Sequence, residues 1–400
     1  LTQNNQPIKG FRFSAIAAGV KKAGTERLDL ALVTSDIPAQ AAGVTTMNLV
    51  CAAPVEIVRE RLHSGVCQAV LMNSGNANAY TGVQGKSDAY ELTELTAKKL
   101  GIVPELIVPM STGVIGNPLP MARLRSKIPT LVEQLGSSSY LDVAHAIMTT
   151  DTKPKTVILD GETSTAPFRI LGMAKGAGMI APDMATLLSV VLTDIKVRPS
   201  LLKEFLVEAA AETFNRVTID GDTSTNDTLL VLSGGHQDAI ELGQNGSDEE
   251  SFFKVLKAAC KDLSRQIVRD GEGVTKVVEI HVIGTENEAD ALKVARKIAE
   301  SPLVKTAFHG EDPNWGRIIS SAGRAGVVFH PDNLDLSIGG IPIVLNGTLV
   351  SDDWETAAHA AMKKPEFTVE LDLKMGTSST TVLTTDFSEE YVSINADYRS

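Results

Sequence analysis

The 400-residue chain of 42.5 kDa carries 37 Lys+Arg against 49 Asp+Glu, a formal charge of −12, with 43% hydrophobic and 22% charged residues. Those values describe a globular chain with room for two to four domains at about 100–200 residues each, or for one large fold with an appendage. The acidic balance and 4% aromatics exclude a dedicated nucleic-acid or anionic-membrane binder, and three scattered cysteines (Cys51, Cys67, Cys260) exclude a disulfide-stapled scaffold.

The first residues, LTQNNQPIKGFRFSAIAAG, lack a basic start followed by an apolar run, and no apolar stretch approaches the ~20 residues that span a bilayer. The expectation is therefore a cytoplasmic protein. Val66–Met72 reads as a buried strand that delivers the polar loop NSGNANA, Asn73–Ala79. Gly85–Leu100 reads as a helix with Ala89, Leu92 and Leu95 on its buried stripe. Leu106–Met110 is a second strand, feeding the loop STGVIG, Ser111–Gly116.

Lys175–Pro182, KGAGMIAP, is too rich in Gly and Pro to be regular, yet Met184–Thr193 directly after it is an apolar run suited to a strand buried on both faces. Ser200–Arg216 is helical, with Leu202, Phe205 and Ala209 on one side, and the loop DGDTSTNDT, Asp220–Thr228, follows. Ser247-x-x-Glu250 and Thr285-x-x-Glu288 read as capping boxes opening two more helices. Val278, Ile280 and Val282 alternate as on a strand. Phe367, Val369, Leu371 and Leu373 do the same, Gly376 turns, and Thr380–Thr385 returns as the second arm of a hairpin. From about residue 277 the pattern is that of a smaller α+β unit.

The usual chemical signatures are missing. The seven histidines (63, 145, 236, 281, 309, 330, 359) show no HxH or HxxxH spacing and there is no CxxC, so no metal is expected. His309-Gly-Glu311-Asp312 has chelating side chains, but before Pro313 it reads more simply as a polar turn. Gly176-Ala-Gly178 lacks both GxGxxG and GK[ST], and no G-x-S-x-G elbow exists. What remains is Thr186, placed where the irregular loop turns into the buried strand. A threonine hydroxyl needs a base beside it, and cutting the Ala185–Thr186 bond would supply one in the residue's own α-amine, whose pKa is near 7.7–8.0. The plainer alternative is a β-branched strand residue.

KGAGMIAPDMATLL (Lys175–Leu188) closely resembles a signature of the glutamate N-acetyltransferase, or ornithine acetyltransferase, family of arginine biosynthesis. So do MSTGVIG (Met110–Gly116), MTTDTKPK (Met148–Lys155), DTSTNDT (Asp222–Thr228), RDGEGVTK (Arg269–Lys276), HGEDPNWGR (His309–Arg317) and INADYRS (Ile394–Ser400). These matches run in order over nearly the whole chain.

The resemblance implies an α+β fold, a layered α/β/β/α sandwich like that of the N-terminal-nucleophile hydrolases, with a smaller C-terminal α+β domain. It implies self-cleavage at Ala185–Thr186 into an α chain, 1–185, and a β chain whose part 186–276 completes the catalytic sandwich and whose part 277–400 forms the smaller domain. The pieces are expected to assemble as α2β2. Thr186 is then the nucleophile of a ping-pong acetyl transfer from N-acetylornithine to glutamate, with Thr112 and Gly113 as the oxyanion hole. Thr152, Lys175, Thr186, Glu272, Asn395 and Ser400 are the implied substrate contacts, so the C-terminal tail has to fold back. Asp222, Asn226, Asp227 and Asn314 look like support, and Trp315 and Arg317 like packing and an ion pair. No cofactor is implied, although bifunctional members also accept acetyl-CoA. Two other readings share the scaffold: a threonine-nucleophile aminopeptidase or amidase, and a non-catalytic amino-acid-binding protein.

Overall fold

The computed structural model describes residues 7–181, 187–351 and 353–397. The chain divides into two compact units, one of residues 1–215 with 222–267, the other of 216–221 with 268–400. Pro182–Thr186, and with them the expected cleavage site, lie outside the described residues, as does Ser400.

The first unit is built from β1 (Phe11–Ile16), β2 (Leu30–Thr45), α1 (Ala53–Arg61), β3 (Val66–Asn73), α2 (Gly82–Leu100), β4 (Ile107–Ser111), α3 (Met121–Glu133) and α4 (Tyr140–Ala146). It continues through β5 (Lys155–Glu162), β6 (Pro167–Lys175), β7 (Leu188–Thr193), α5 (Pro199–Glu212), β8 (Thr228–Ser233) and α6 (Gly246–Arg269), whose last two residues belong to the second unit. The strands form one sheet in the order β4-β3-β2-β8-β7-β6-β5, with β1 on β2.

Strands β3, β4, β7 and β8 are buried along nearly their whole length, and period-2 alternation sorts the side chains of β2, β3 and β4 between two cores. Leu30, Leu32, Ala69, Leu71 and Ile107 pack with Leu92, Ala97, Leu124, Ile128 and Leu131 of α2 and α3. Their neighbours Ala31, Val33, Val70, Met72, Val108 and Met110 pack with Val143, Ala144 and Ile147 at α4. Full burial of each Leu, Ile or Val side chain contributes about 1.5–3 kcal/mol. A one-residue slip of β3 would exchange the two sets, so its register is fixed strongly. Strand β7 is wholly buried, as the near-continuous apolar run over Met184–Thr193 suggested; residues 184–186 of that run lie outside the described ones.

The second unit holds β9 (Val277–Thr285), α7 (Glu288–Ala299), α8 (Pro302–His309), α9 (Trp315–Ala322), β10 (Asp335–Ile338), β11 (Ile341–Leu345), β12 (Thr348–Leu349), α10 (Trp354–Met362), β13 (Glu366–Asp372), β14 (Ser378–Thr385) and α11 (Glu389–Ala396). Its sheet runs β12-β11-β10-β13-β9-β14. Val278, Ile280, Val282, Val369 and Leu371 share a core with Val294, Ala295 and Ile298 of α7. Both units are thus mixed α+β.

Three local expectations are corrected. β13 and β14 are not a hairpin, because β9 lies between them, parallel to β13 and antiparallel to β14. The turn wraps the end of β9 instead, with Met375 N–H on Gly284 O at 2.7 Å, and a side chain at Gly376 would stand 2.4 Å from Thr285 O. Helix α6 is capped by Asn245, whose Oδ1 accepts from Asp248 N–H at 2.9 Å, while Ser247 lies inside the helix. Helix α7 is capped by Asn287, whose Oδ1 accepts from Asp290 N–H at 2.9 Å, and Thr285 closes β9.

Candidate active site

Strands β3 and β4 run parallel, with Asn73 opposite Ser111, so the Asn73–Ala79 and Ser111–Gly116 loops leave the sheet side by side. A ladder of asparagines joins them. Thr112 N–H donates to Asn73 O at 3.0 Å, Ser111 Oγ to Asn73 Oδ1 at 2.6 Å, and Asn73 Nδ2 to Asn76 O at 2.9 Å. From the Asp220–Thr228 loop, Asn226 Nδ2 donates to both Ala77 O (2.6 Å) and Ser111 O (2.8 Å). Gly113 adopts φ +132°, and a Cβ there would stand 2.4 Å from Gly75 C. Only glycine allows the two backbones so close.

Thr112 is buried, and its Oγ1 accepts from Lys175 Nζ at 3.0 Å. Lys175 ends β6, opposite Leu188, the first residue of β7. Behind it lies Asp151, whose Oδ1 accepts from Lys155 Nζ at 2.5 Å and from Gly176 N–H at 2.7 Å. Burial by itself raises the Asp151 pKa. The positive charges of Lys175 and Lys155, with hydrogen bonds from Lys155 and the Thr149 N–H, outweigh that and hold it at about 2. Thr152 next to it is exposed.

The nucleophile expected at Thr186 and the Ala185 carbonyl before it fall in the undescribed stretch, but its two described flanks are both tied to the Asp222–Thr228 loop. Ala181 O accepts from Thr223 Oγ1 at 2.9 Å, and Leu187 O from Thr228 N–H at 2.8 Å. Of the expected supporting residues, Asn226 and Asp227 are buried and Asp222 is exposed.

In the second unit, Glu272 is buried, and its Oε2 accepts from Asn395 Nδ2 at 2.7 Å. Residue 395 belongs to α11, which the cap at Ser388 fixes to the Glu272 loop: Ser388 Oγ donates to Gly273 O at 2.6 Å and accepts from Tyr391 N–H at 3.3 Å. Gly273 has φ +65°, and a side chain there would meet Tyr391 N at 2.5 Å. The tail thus folds back onto the Glu272 loop through Asn395; Ser400 lies beyond the described residues.

His309 Nδ1 pairs with buried Asp386 at 2.7 Å, and that carboxylate also takes hydrogen bonds from the N–H groups of Thr275 and Lys276. Among the described residues no group of three or more His, Cys, Asp or Glu side chains converges for a metal ion. Asn314 caps α9 through Arg317 N–H, and Trp315 packs on the core of this unit. Arg317 donates to Leu303 O at 2.8 Å, and among the described residues it makes no ion pair. Residues 73, 76, 151 and 155 were not singled out from the sequence. The asparagine-rich loop was legible only as a polar loop, and Asp151 stood unremarked beside Thr152.

A profile of the ArgJ family matches residues 12–400. The arginine biosynthesis bifunctional protein ArgJ of Desulfotalea psychrophila is 48% identical over 393 residues, covering 98% of this chain and 100% of its own. The protein of that name from Geobacter sulfurreducens is 46% identical with the same coverage. Among solved structures, ArgJ from Bacillus halodurans is 38% identical with TM-score 0.48, covering 51% of this chain and 95% of its own. Ornithine acetyltransferase complexed with ornithine from Mycobacterium tuberculosis is 40% identical with TM-score 0.41, covering 45% and 94%. Matched from its twelfth residue to its last, and close to half identical to such relatives along almost all of its length, the chain belongs to the ArgJ family.

Proposed function

We propose that this protein is an acetyltransferase of arginine biosynthesis that moves the acetyl group of N-acetylornithine to glutamate. The observation that carries the reading is membership of the ArgJ family, at 46–48% identity over 98% of the chain to arginine biosynthesis bifunctional proteins. The chemistry follows from the residues. After a self-made cut between Ala185 and Thr186, Thr186 Oγ attacks the acetyl carbonyl and the new α-amine takes its proton. The oxyanion is held by the Thr112 hydroxyl and the Gly113 N–H, each worth about 3–4 kcal/mol in the transition state. Ornithine leaves with the proton, an acetyl ester remains on Thr186, and the glutamate amine then attacks that ester. Amide becomes ester and then amide again, so the step needs neither cofactor nor metal.

Thr152, Lys175, Glu272, Asn395 and Ser400 are assigned to the substrates, Lys175 to a carboxylate and Glu272 to the ornithine ammonium. Acetyl-CoA is a second acetyl donor in this reading, the cut pieces assemble as α2β2, and the enzyme works in the cytoplasm. The test is incubation with N-acetylornithine and labelled glutamate. Labelled N-acetylglutamate is the expected product; free acetate without it would assign the protein to the amidases, and binding without either product would make it a binding protein.

A further inference from the structure

Asp151 is a carboxylate of the first unit's site whose side chain is fully shielded from solvent, and nothing in the acetyl-transfer scheme uses it. All its described contacts are donors: Lys155 Nζ (2.5 Å) and Gly176 N–H (2.7 Å) on Oδ1, Thr149 N–H (2.9 Å) on Oδ2. Gly176 follows Lys175, so Asp151 pins the peptide from which Lys175 leaves β6. Lys155 sits across from Ala174 in the β5–β6 pairing and shares the Asp151 Oδ1 atom with the Gly176 N–H.

Lys175 Nζ meets Thr112 Oγ1 at 3.0 Å. An ammonium has hydrogens to give and no lone pair, so Thr112 must be the acceptor in this bond. Its own hydrogen is thereby turned away from Lys175, and a hydroxyl already accepting from a cation is a stronger donor. A buried ammonium is costly without a counter-charge, and Asp151 carries an opposite charge that acts on Lys175.

We propose that Asp151 is a positioning residue of the acetyl transfer: by pinning Gly176 and supplying Lys175's counter-charge, it aims Lys175 at Thr112, so that the Thr112 hydroxyl presents its hydrogen to the oxyanion. Lys155, on the same carboxylate oxygen as the Gly176 N–H, balances its charge. The proposal rests on the acetyl-transfer reading and deepens it.

The test is a double-mutant cycle of Asp151→Asn and Thr112→Ala, with kcat and KM measured per self-cleaved chain and the cleaved fraction counted on a denaturing gel. Asp151→Asn should lower kcat about 30-fold with KM within about 2-fold, and Thr112→Ala should lower it about 100-fold. The double variant should then fall no more than about 3-fold below Thr112→Ala, because the hydroxyl through which Asp151 acts is gone. Losses that multiply overturn the proposal. Wild-type protein that transfers no acetyl group overturns the functional reading, and this proposal with it. If Asp151→Asn fails to fold or to cut, the cycle is run on Asp151→Asn/Lys155→Met, which removes the anion together with the cation bonded to it. That pair should melt near the wild-type temperature and keep the kcat loss; recovery of kcat along with stability would mean Asp151 serves folding alone, and the proposal falls.

Discussion

Asn395 Nδ2 lies 2.7 Å from Glu272 Oε2, across 123 positions of sequence. A carboxylate that is buried and already accepts one neutral donor still has lone pairs for a cation, which is the property an ornithine ammonium requires. Glu272→Gln should raise KM for N-acetylornithine about 10-fold or more while kcat falls less, since a lost charge-assisted hydrogen bond is worth roughly 1.5–3 kcal/mol. Asn395→Ala should raise it in the same direction by a smaller factor. Steady-state kinetics of both variants check this, and unchanged constants for Glu272→Gln would remove it from the substrate site.

Intact mass of the purified wild-type protein should show fragments of about 20 and 23 kDa by length, the larger beginning Thr-Leu-Leu. Thr186→Ala should give one uncut chain of 42.5 kDa and no transfer. A fully active wild-type protein with one intact mass would contradict both.

Gly113 holds φ +132° with Gly75 against its α-carbon, so an added methyl group collides with backbone that has no room to yield. Gly113→Ala should cost about 1–3 kcal/mol of stability and, by displacing an oxyanion donor, about 100-fold or more in kcat. Thermal melting and initial rates read the two effects separately; a variant with wild-type kcat would mean the Gly113 N–H does not face the reacting oxygen.

Lys305 of α8 is wholly buried against Thr384 Oγ1 (3.0 Å) and Thr385 Oγ1 (3.1 Å), with Phe387's ring 4.5 Å from its nitrogen. Burial lowers its pKa from 10.5 to about 7, against the opposing pull of Asp386, Asp220 and Glu300. Between those two values the unfolded chain binds a proton that the folded chain has released, so this group makes stability rise with pH from about 7 to about 10. Lys305→Met should lose that rise. Urea unfolding of both proteins across the window measures it; a wild-type minus variant difference that stays constant with pH would refute the assignment.

The strands β3, β4 and β7 were legible in the sequence because apolar runs bounded by turn residues are a local signal, and all three are buried on both faces. The caps of α6 and α7 were misplaced for an equally local reason. Ser247 and Thr285 fit the S/T-x-x-E pattern, yet Asn245 and Asn287 offer the same cap geometry and win. The hairpin expected around Gly376 failed because nothing between Phe367 and Thr385 reveals that β9, some ninety residues earlier, occupies the middle place. The Thr112–Lys175–Asp151–Lys155 cluster was hidden in the same way. Its members come from three stretches that only the β3–β4 and β5–β6–β7 pairings bring together, and motif resemblance supplied just two of the four.

The strand order β2-β8-β7-β6 has a mechanical consequence for a chain cut after residue 185. Strands β7 and β8 would then belong to the downstream fragment, threaded between β2 and β6 of the upstream one, with Gln40–Thr45 laddered to Thr228–Ser233 and Ile170–Lys175 to Leu188–Thr193. Scission would release no piece: the fragments are interleaved and could part only by tearing the sheet open along both seams. Halves from different molecules should therefore never trade places in the native state, and each severed molecule would keep for life the partner it was translated with.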